Sequence, residues 1–97
     1  MKRLEIIFSQ AIDDDFIDAC AEKKIGQYFT KIQNVRGQGY SVPKMGDNIW
    51  PQLNNQYIIY CENAEAEEIH TVIIDLRKKY PTEGIAFFVS DGEFSQL

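Results

Sequence analysis

The residue types that could bind a ligand gather in one stretch of the chain, the loop Gly37–Asn55 and the residue before it. Gly37 and Gly39 stand at the end of a strand-like segment, where glycines let the backbone approach a ligand closely. The same glycines could simply form the turn that leaves the strand. Arg36 and Lys44 are the cations near this loop, and each could pair with an anionic group. Lys44 is expected either to contact a target or to be solvated.

The loop also carries two large aromatic side chains, Tyr40 and Trp50. They could form a wall on which a base stacks, an interaction that contributes about 1–3 kcal/mol per base. The alternative, which we favour, is that Trp50 anchors an oligomer interface, a role that tryptophan often has. A second chain reversal is predicted at Gly46 and Asp47. The candidate ligand-binding residues are Arg36, Gly37, Gly39, Tyr40, Lys44, Gly46, Asp47 and Trp50.

Composition argues against several classes of partner. The formal net charge of −5 and a pI near 4.7 would repel a nucleic-acid backbone or an anionic membrane. No stretch approaches the roughly 20 apolar residues of a membrane span, and the apolar core of the N-terminal segment is too short for a signal peptide. Cys20 and Cys61 match no metal spacing and are expected to be reduced core residues of a cytoplasmic protein. We expect neither nucleic-acid binding nor membrane insertion.

Periodicity and helix signals predict the elements that position this loop. Residues 2–9 alternate as a strand, and a helix follows over 13–24. Asp13 is its predicted N-cap, and Gly26 is the glycine that ends it. Residues 28–36 form the second strand.

The second half repeats the pattern after the loop. Residues 56–62 form a third strand, and a helix capped by Asn63 runs to Pro81. The fourth strand covers residues 84–90, and Phe94 in the short tail is expected to pack back. The apolar positions of the second helix are Ile69, Val72, Ile73, Leu76 and Tyr80.

The order β-α-β-β-α-β predicts one α+β domain over residues 1–97 with a ferredoxin-like fold, a four-stranded antiparallel sheet with two helices on one face. A sheet covered on one face should alternate apolar and polar residues. Residues 57–61 and 85–89 are instead apolar on both sides. Something must cover the outer face, and a second copy of the chain is the favoured cover. We therefore predict an obligate homo-oligomer.

Other reactive side chains lack the partners that catalysis or metal binding requires. The aspartates at 13–15 lack the alternation and glycine of a calcium loop, and helix capping explains them better. His70, the single histidine, is predicted to be a surface residue. No nucleophile elbow, P-loop or zinc spacing occurs. Acylphosphatases share this fold and hold phosphate with an arginine after the first strand, where Ser9–Ile12 has none. We expect no catalysis, and the sequence specifies no cofactor.

The segment Lys31–Gly39 (KIQNVRGQG) resembles the PII nitrogen-regulatory signalling proteins. In that family an equivalent strand ends in a Val-x-Gly-x-Gly turn that opens a long signalling loop, and the element order agrees over nearly the whole chain. The later pattern of Gly46-Asp47, Trp50-Pro51 and Asn54 is similar to that of PII-like proteins with a shortened loop. The resemblance implies a cytoplasmic homotrimer that binds a nucleotide between subunits and touches a target protein with its loop.

Two departures bear on the ligand. PII proteins carry a Gly-Asp-Gly-Lys turn before the last strand, where this chain has Thr82-Glu83-Gly84. They also continue with arginines that contact phosphate, whereas the tail after Gly92 carries no basic residue. The missing charges argue against tight binding of a triphosphate.

Two alternatives to a PII-like sensor stay open. The CutA proteins share this scaffold, and a CutA-like metal-tolerance trimer would use Cys61 and Met45, with His70 as a third ligand. A purely structural trimer would use the loop only to complete its interface.

Overall fold

The computed structural model describes residues 1–95, and its elements follow the predicted order. The strands are β1 (Lys2–Ser9), β2 (Thr30–Val35), β3 (Asn54–Cys61) and β4 (Ala86–Asp91), and the helices are α1 (Asp13–Lys23) and α2 (Asn63–Lys79). A 3-10 turn over Gln10–Ile12 precedes α1. The four strands form one sheet in the order β2-β3-β1-β4, with all neighbours antiparallel. The ferredoxin-like α+β fold is confirmed.

The core lies between one face of the sheet and the two helices. Leu4, Ile6 and Phe8 of β1 point into it and are fully buried, as their alternation predicts. The rings of Phe8, Phe16 of α1 and Tyr57 of β3 pack together with centroids 5.0–5.6 Å apart. The second helix buries the predicted stripe, which comprises Ile69, Val72, Ile73 and Leu76. Within residues 1–95, neither helix is long and apolar enough to cross a membrane.

The opposite face of the sheet, here called the outer face, is covered by no helix in the described part of the chain. Ile32 is 43% exposed, Tyr60 51% and Phe88 61%, so each of three strands presents a large apolar side chain to solvent. Between them, Glu5 accepts hydrogen bonds from Arg3 (3.0 Å) and Gln56 (3.1 Å). The two-sided apolar pattern of the strands therefore produces the uncovered surface that the sequence predicts.

The predicted N-cap role of Asp13 is wrong. Ile12 is the N-cap residue of α1, and its apolar side chain makes no cap hydrogen bond. The 3-10 turn over Gln10–Ile12 leads directly into the helix, so Asp13 is already its first helical residue. The Asp13 carboxylate instead accepts hydrogen bonds from the Lys31 ammonium (2.7 Å) and the Tyr57 hydroxyl (2.6 Å). This buried junction fastens the start of α1 to β2 and β3.

Other boundaries also differ from prediction. Lys24, with φ +57°, takes the left-handed conformation that ends α1, a role predicted for Gly26. The N-cap of α2 is Glu62, and Asn63 is already helical. Phe94 is exposed and does not pack back. Gln96 and Leu97, the end of the predicted tail, lie outside the described residues.

The junction predicts a pH-dependent stability. Burial raises the pKa of the Asp13 carboxyl, but hydrogen bonds from Lys31, Tyr57 and Asn55 lower it by more than burial raises it. The pKa therefore lies below its ordinary value. Because the folded pKa is below the unfolded one, ionised Asp13 stabilises the fold above about pH 4. This stabilisation is lost as the pH falls through the folded pKa.

We therefore expect Asp13→Asn to lower the free energy of unfolding by about 1.5–3 kcal/mol at pH 7, since hydrogen bonds to a charged group are lost. The difference from wild type should be smaller at pH 3. Urea denaturation at both pH values measures it. Asp14→Asn, at an exposed position in the same turn, is the control and should have little effect. A loss for Asp13→Asn that is equal at both pH values would contradict this explanation.

Candidate functional site

The loop between β2 and β3 is closed at its base by backbone hydrogen bonds. Gly37 and Lys44 form an antiparallel bridge, in which each N–H donates to the carbonyl of the other at 2.8 Å. Further along, the Gly46 N–H donates to the carbonyl of Gln52 (3.2 Å). The loop is thus two consecutive chain reversals stacked on the end of the sheet.

Packing explains two of the loop glycines. Gly46 has φ +66°, and a Cβ there would lie 2.8 Å from Leu53 Cδ2. A Cβ at Gly37 would lie 3.0 Å from the Asn54 amide nitrogen. Gly39 differs, since a Cβ there would meet no atom of residues 1–95 within 4 Å. Gly37 and Gly46 therefore serve the loop's own contacts with the start of β3, whereas Gly39 leaves open space beside the backbone.

Of the two alternatives for Lys44, contact with a target or solvation, the structure contradicts solvation. Lys44 is only 5% exposed. Its ammonium donates to the carbonyl of Val42 (3.2 Å) and lies 3.7 Å from Glu83 Oε2. Glu83 belongs to the turn before β4. In the sequence, this turn was notable only because it lacks the lysine that PII proteins carry there.

The same turn touches the loop a second time. A Cβ on Gly84 would lie 2.8 Å from the hydroxyl of Ser41, so the absence of a side chain at Gly84 lets the loop approach. Together with the Lys44–Glu83 pair, this contact fastens the loop to the segment that leads into β4. We call the bridge Gly37–Lys44 and these two contacts the loop base.

Asp47 shapes the second reversal of the loop. One carboxylate oxygen accepts hydrogen bonds from the backbone N–H groups of Ile49 (3.0 Å) and Trp50 (2.6 Å). The Asp47 N–H in turn donates to the carbonyl of Trp50 (3.1 Å). This is the Asx-turn arrangement typical of aspartate, and it positions the Trp50 side chain.

Beyond its base, the loop exposes apolar side chains. We call this surface the tip patch, which comprises Tyr40, Val42, Ile49 and Trp50. Arg36 is also exposed, beside Gly37. Of the predicted site residues, the structure thus brings Tyr40 and Trp50 to the surface, directs Asp47 to backbone groups and buries Lys44.

A side-chain network missed by sequence reasoning supports the entry to the loop. The Gln10 amide donates to the side-chain oxygens of Asn34 (2.7 Å) and Asn55 (3.1 Å). Asn34 takes a left-handed conformation with φ +60° at the irregular end of β2. Because Gln10 follows β1 directly, the network ties both ends of the loop to the centre of the sheet. The sequence signal that could have indicated this network is the presence of amide residues on both sides of the loop.

The residues proposed as metal ligands are not brought together. Cys61 is buried at the far end of β3, roughly 20 Å along the strand from the loop that holds Met45. His70 lies on α2, where its ring stacks on Phe87 at 5.0 Å. Burial raises the pKa of Cys20 to about 11 and also raises that of Cys61. Within residues 1–95, no group of three or more His, Cys, Asp or Glu side chains is arranged to hold a metal ion.

By sequence, the chain matches no protein-family model and no curated protein. Its fold matches solved structures of PII-like proteins. CPII from Thiomonas intermedia K12, bound to ADP, AMP and acetate, superposes with a TM-score of 0.70 and 17% identity, covering 98% of this chain and 88% of CPII.

Two further structures agree. A protein from Thermus thermophilus described as PII-like gives a TM-score of 0.58 at 12% identity, covering 92% of this chain and 83% of its own. A DUF3240 family protein from Shewanella baltica OS155 gives 0.61 at 16% identity, covering 97% of both chains. The chain therefore shares the PII-like fold.

The Asx-turn predicts that Asp47→Ala frees the N–H groups of Ile49 and Trp50. Loss of these hydrogen bonds should cost about 1 kcal/mol of local stability, which corresponds to roughly fivefold faster amide exchange at both residues. NMR-detected hydrogen exchange measures it, with Asn48→Ala as the neighbouring control. Unchanged exchange at both amides would show that Asp47 does not hold the turn.

Proposed function

We propose that the chain is a cytoplasmic, non-catalytic PII-like regulatory protein that acts as a homotrimer. Its loop Gly37–Asn55 would engage a small-molecule effector or a partner protein. The observation that carries this proposal is the division of the loop into a fastened base and an exposed apolar tip patch. A loop that only completed the fold would have no reason to present four large apolar side chains to solvent.

Assembly through the outer face is supported by its chemistry. The side chains of Ile32, Tyr60 and Phe88, which are exposed in the single chain, would be removed from water in an interface, and this transfer is favourable. The charged residues among them, Arg3 and Glu5, are already paired with each other, and burial of a pair costs less than burial of a lone charge. Among residues 1–95, the sheet also ends in two edge strands without a partner, β2 and β4, and such edges readily pair with another chain.

A small effector is supported by what structures of the same fold contain. CPII is bound to ADP and bicarbonate in one structure and to ADP, AMP and bicarbonate in another. In this chain the proposed ligand-binding residues are Arg36, Gly37, Gly39, Tyr40, Lys44, Gly46, Asp47 and Trp50. Arg36 offers the exposed charge, the space beside Gly39 admits a ligand, and the exposed rings of Tyr40 and Trp50 offer apolar surface.

Native mass spectrometry of freshly purified protein tests assembly and ligand together. A trimer with extra mass, released on denaturation, would support both parts of the proposal and give the mass of the effector. A trimer without extra mass would favour a protein partner for the tip patch. A monomer at micromolar concentration would refute the proposal.

The outer face predicts that Phe88→Glu converts the oligomer to monomers. A glutamate at this position would place an unpaired charge in the interface, which costs several kcal/mol on burial. Ile74→Glu is the control, because Ile74 is a partly exposed apolar residue on α2, away from the outer face. Analytical ultracentrifugation should show monomers only for Phe88→Glu. An intact oligomer of Phe88→Glu would place the interface elsewhere.

Under the proposed function, Trp50 belongs to the ligand site and not to the interface that the sequence favoured. We therefore expect Trp50→Ala to keep the trimer and to lose the co-purified ligand or partner. Removing a stacking ring costs about 1–3 kcal/mol of binding, which is a loss of affinity of roughly fivefold to 150-fold. The same native spectra report both effects. Dissociation of Trp50→Ala into monomers would instead make Trp50 an interface anchor.

A further inference from the structure

The pair of Lys44 and Glu83 is an unusual arrangement for the base of a binding loop. The Lys44 side chain is 7% exposed and that of Glu83 23%. An ammonium removed from water to this extent requires a counter-charge, because burial of a lone charge is very costly. Glu83 supplies that charge from the opposite segment of the chain, the turn before β4.

The pair is close enough for charge neutralisation but is not a tight hydrogen bond. The two atoms lie 3.7 Å apart, whereas charge-assisted hydrogen bonds measure about 2.7–2.9 Å. Glu83 Oε2 is buried, and within residues 1–95 it has no hydrogen-bond partner. The ammonium's own hydrogen bond goes to the neutral carbonyl of Val42 (3.2 Å). Each charge therefore keeps unused hydrogen-bonding capacity.

An incoming anion would meet an unfavourable field at this position. A phosphate or carboxylate group that approached Lys44 would also approach the Glu83 carboxylate, and the repulsion offsets the attraction to Lys44. Repulsion of this kind gives specificity because it weakens the binding of the wrong ligands. The exposed Arg36 would then be the only unpaired cation that the predicted site offers among the described residues.

We infer that Glu83 is a specificity-determining residue, an internal counter-ion that occupies Lys44 and excludes phosphate-bearing ligands from the loop base. This inference rests on the proposed role of the loop as a ligand site. It assigns the native effector to molecules that do not bring a phosphate to Lys44. It also predicts that neutralising Glu83 creates an anion site.

The test is calorimetric titration of wild type and Glu83→Gln with AMP and with adenosine. Glu83→Gln should bind AMP at least about tenfold more tightly than wild type, since one charge-assisted hydrogen bond to Lys44 becomes available. Adenosine, which lacks the phosphate, should bind both proteins equally. Glu68→Gln, at an exposed glutamate of α2, changes net charge by the same amount and should match wild type.

Two measurements keep the result interpretable. Hydrogen exchange at the Gly37 and Lys44 amides reports whether the loop base stays closed in Glu83→Gln. If it opens, Glu83→Asp, which withdraws the carboxylate by one methylene and keeps the charge, should show a smaller gain for AMP. The added substitution Lys44→Gln should abolish the gain in either background.

Equal AMP affinity of wild type and both Glu83 variants would overturn the inference. So would a gain that adenosine shares or that survives Lys44→Gln. The oligomeric state is recorded for every variant, because a monomeric wild type refutes the proposed trimer without changing the AMP comparison.

Discussion

Two helices can cover only one face of a four-stranded sheet, and the rest of this molecule depends on that constraint. The covered face holds the aromatic cluster of Phe8, Phe16 and Tyr57. The uncovered face presents Tyr60 and Phe88 to water, and each apolar side chain of this size gains about 1.5–3 kcal/mol when fully buried. A chain of this length has little other surface from which to gain stability, so burial of this face in the proposed oligomer would stabilise the fold.

Buried charges are paired in two different ways at the start of α1 and at the loop base. At the start of α1, Asp13 is bonded at 2.6–2.7 Å to both Tyr57 and Lys31, and such a fully satisfied network fixes one arrangement. At the loop base, Lys44 and Glu83 are 3.7 Å apart and unsaturated in hydrogen bonds. The tight junction belongs to the scaffold, whereas the loose pair lies where ligands are proposed to act.

Periodicity was enough to predict the fold, because the apolar spacing of Ile69, Val72, Ile73 and Leu76 and the alternation of β1 encode which face each element buries. Local sequence signals predicted the helix caps less well. Aspartate is a preferred N-cap residue, yet the Asp13 carboxylate accepts tertiary hydrogen bonds from Lys31 and Tyr57 instead of capping the helix. The burial of Lys44 depends on Glu83, 39 positions later in sequence numbering. Pairings over such distances leave no periodic trace in a single sequence, so the environments of the loop residues could not be predicted from it.

The loop illustrates how one fold can serve different ligands. The backbone pairing of Gly37 with Lys44 does not itself depend on the side chain at position 44. A cation at that position is therefore free to be exposed or neutralised according to the residue that the turn before β4 places opposite it. In this chain the turn supplies Glu83, so the same backbone that could present a positive charge presents a neutral pair. Fold and ligand chemistry are thus set by separate residues, which is why a shared PII-like fold carries the scaffold of a binding site without fixing its ligand.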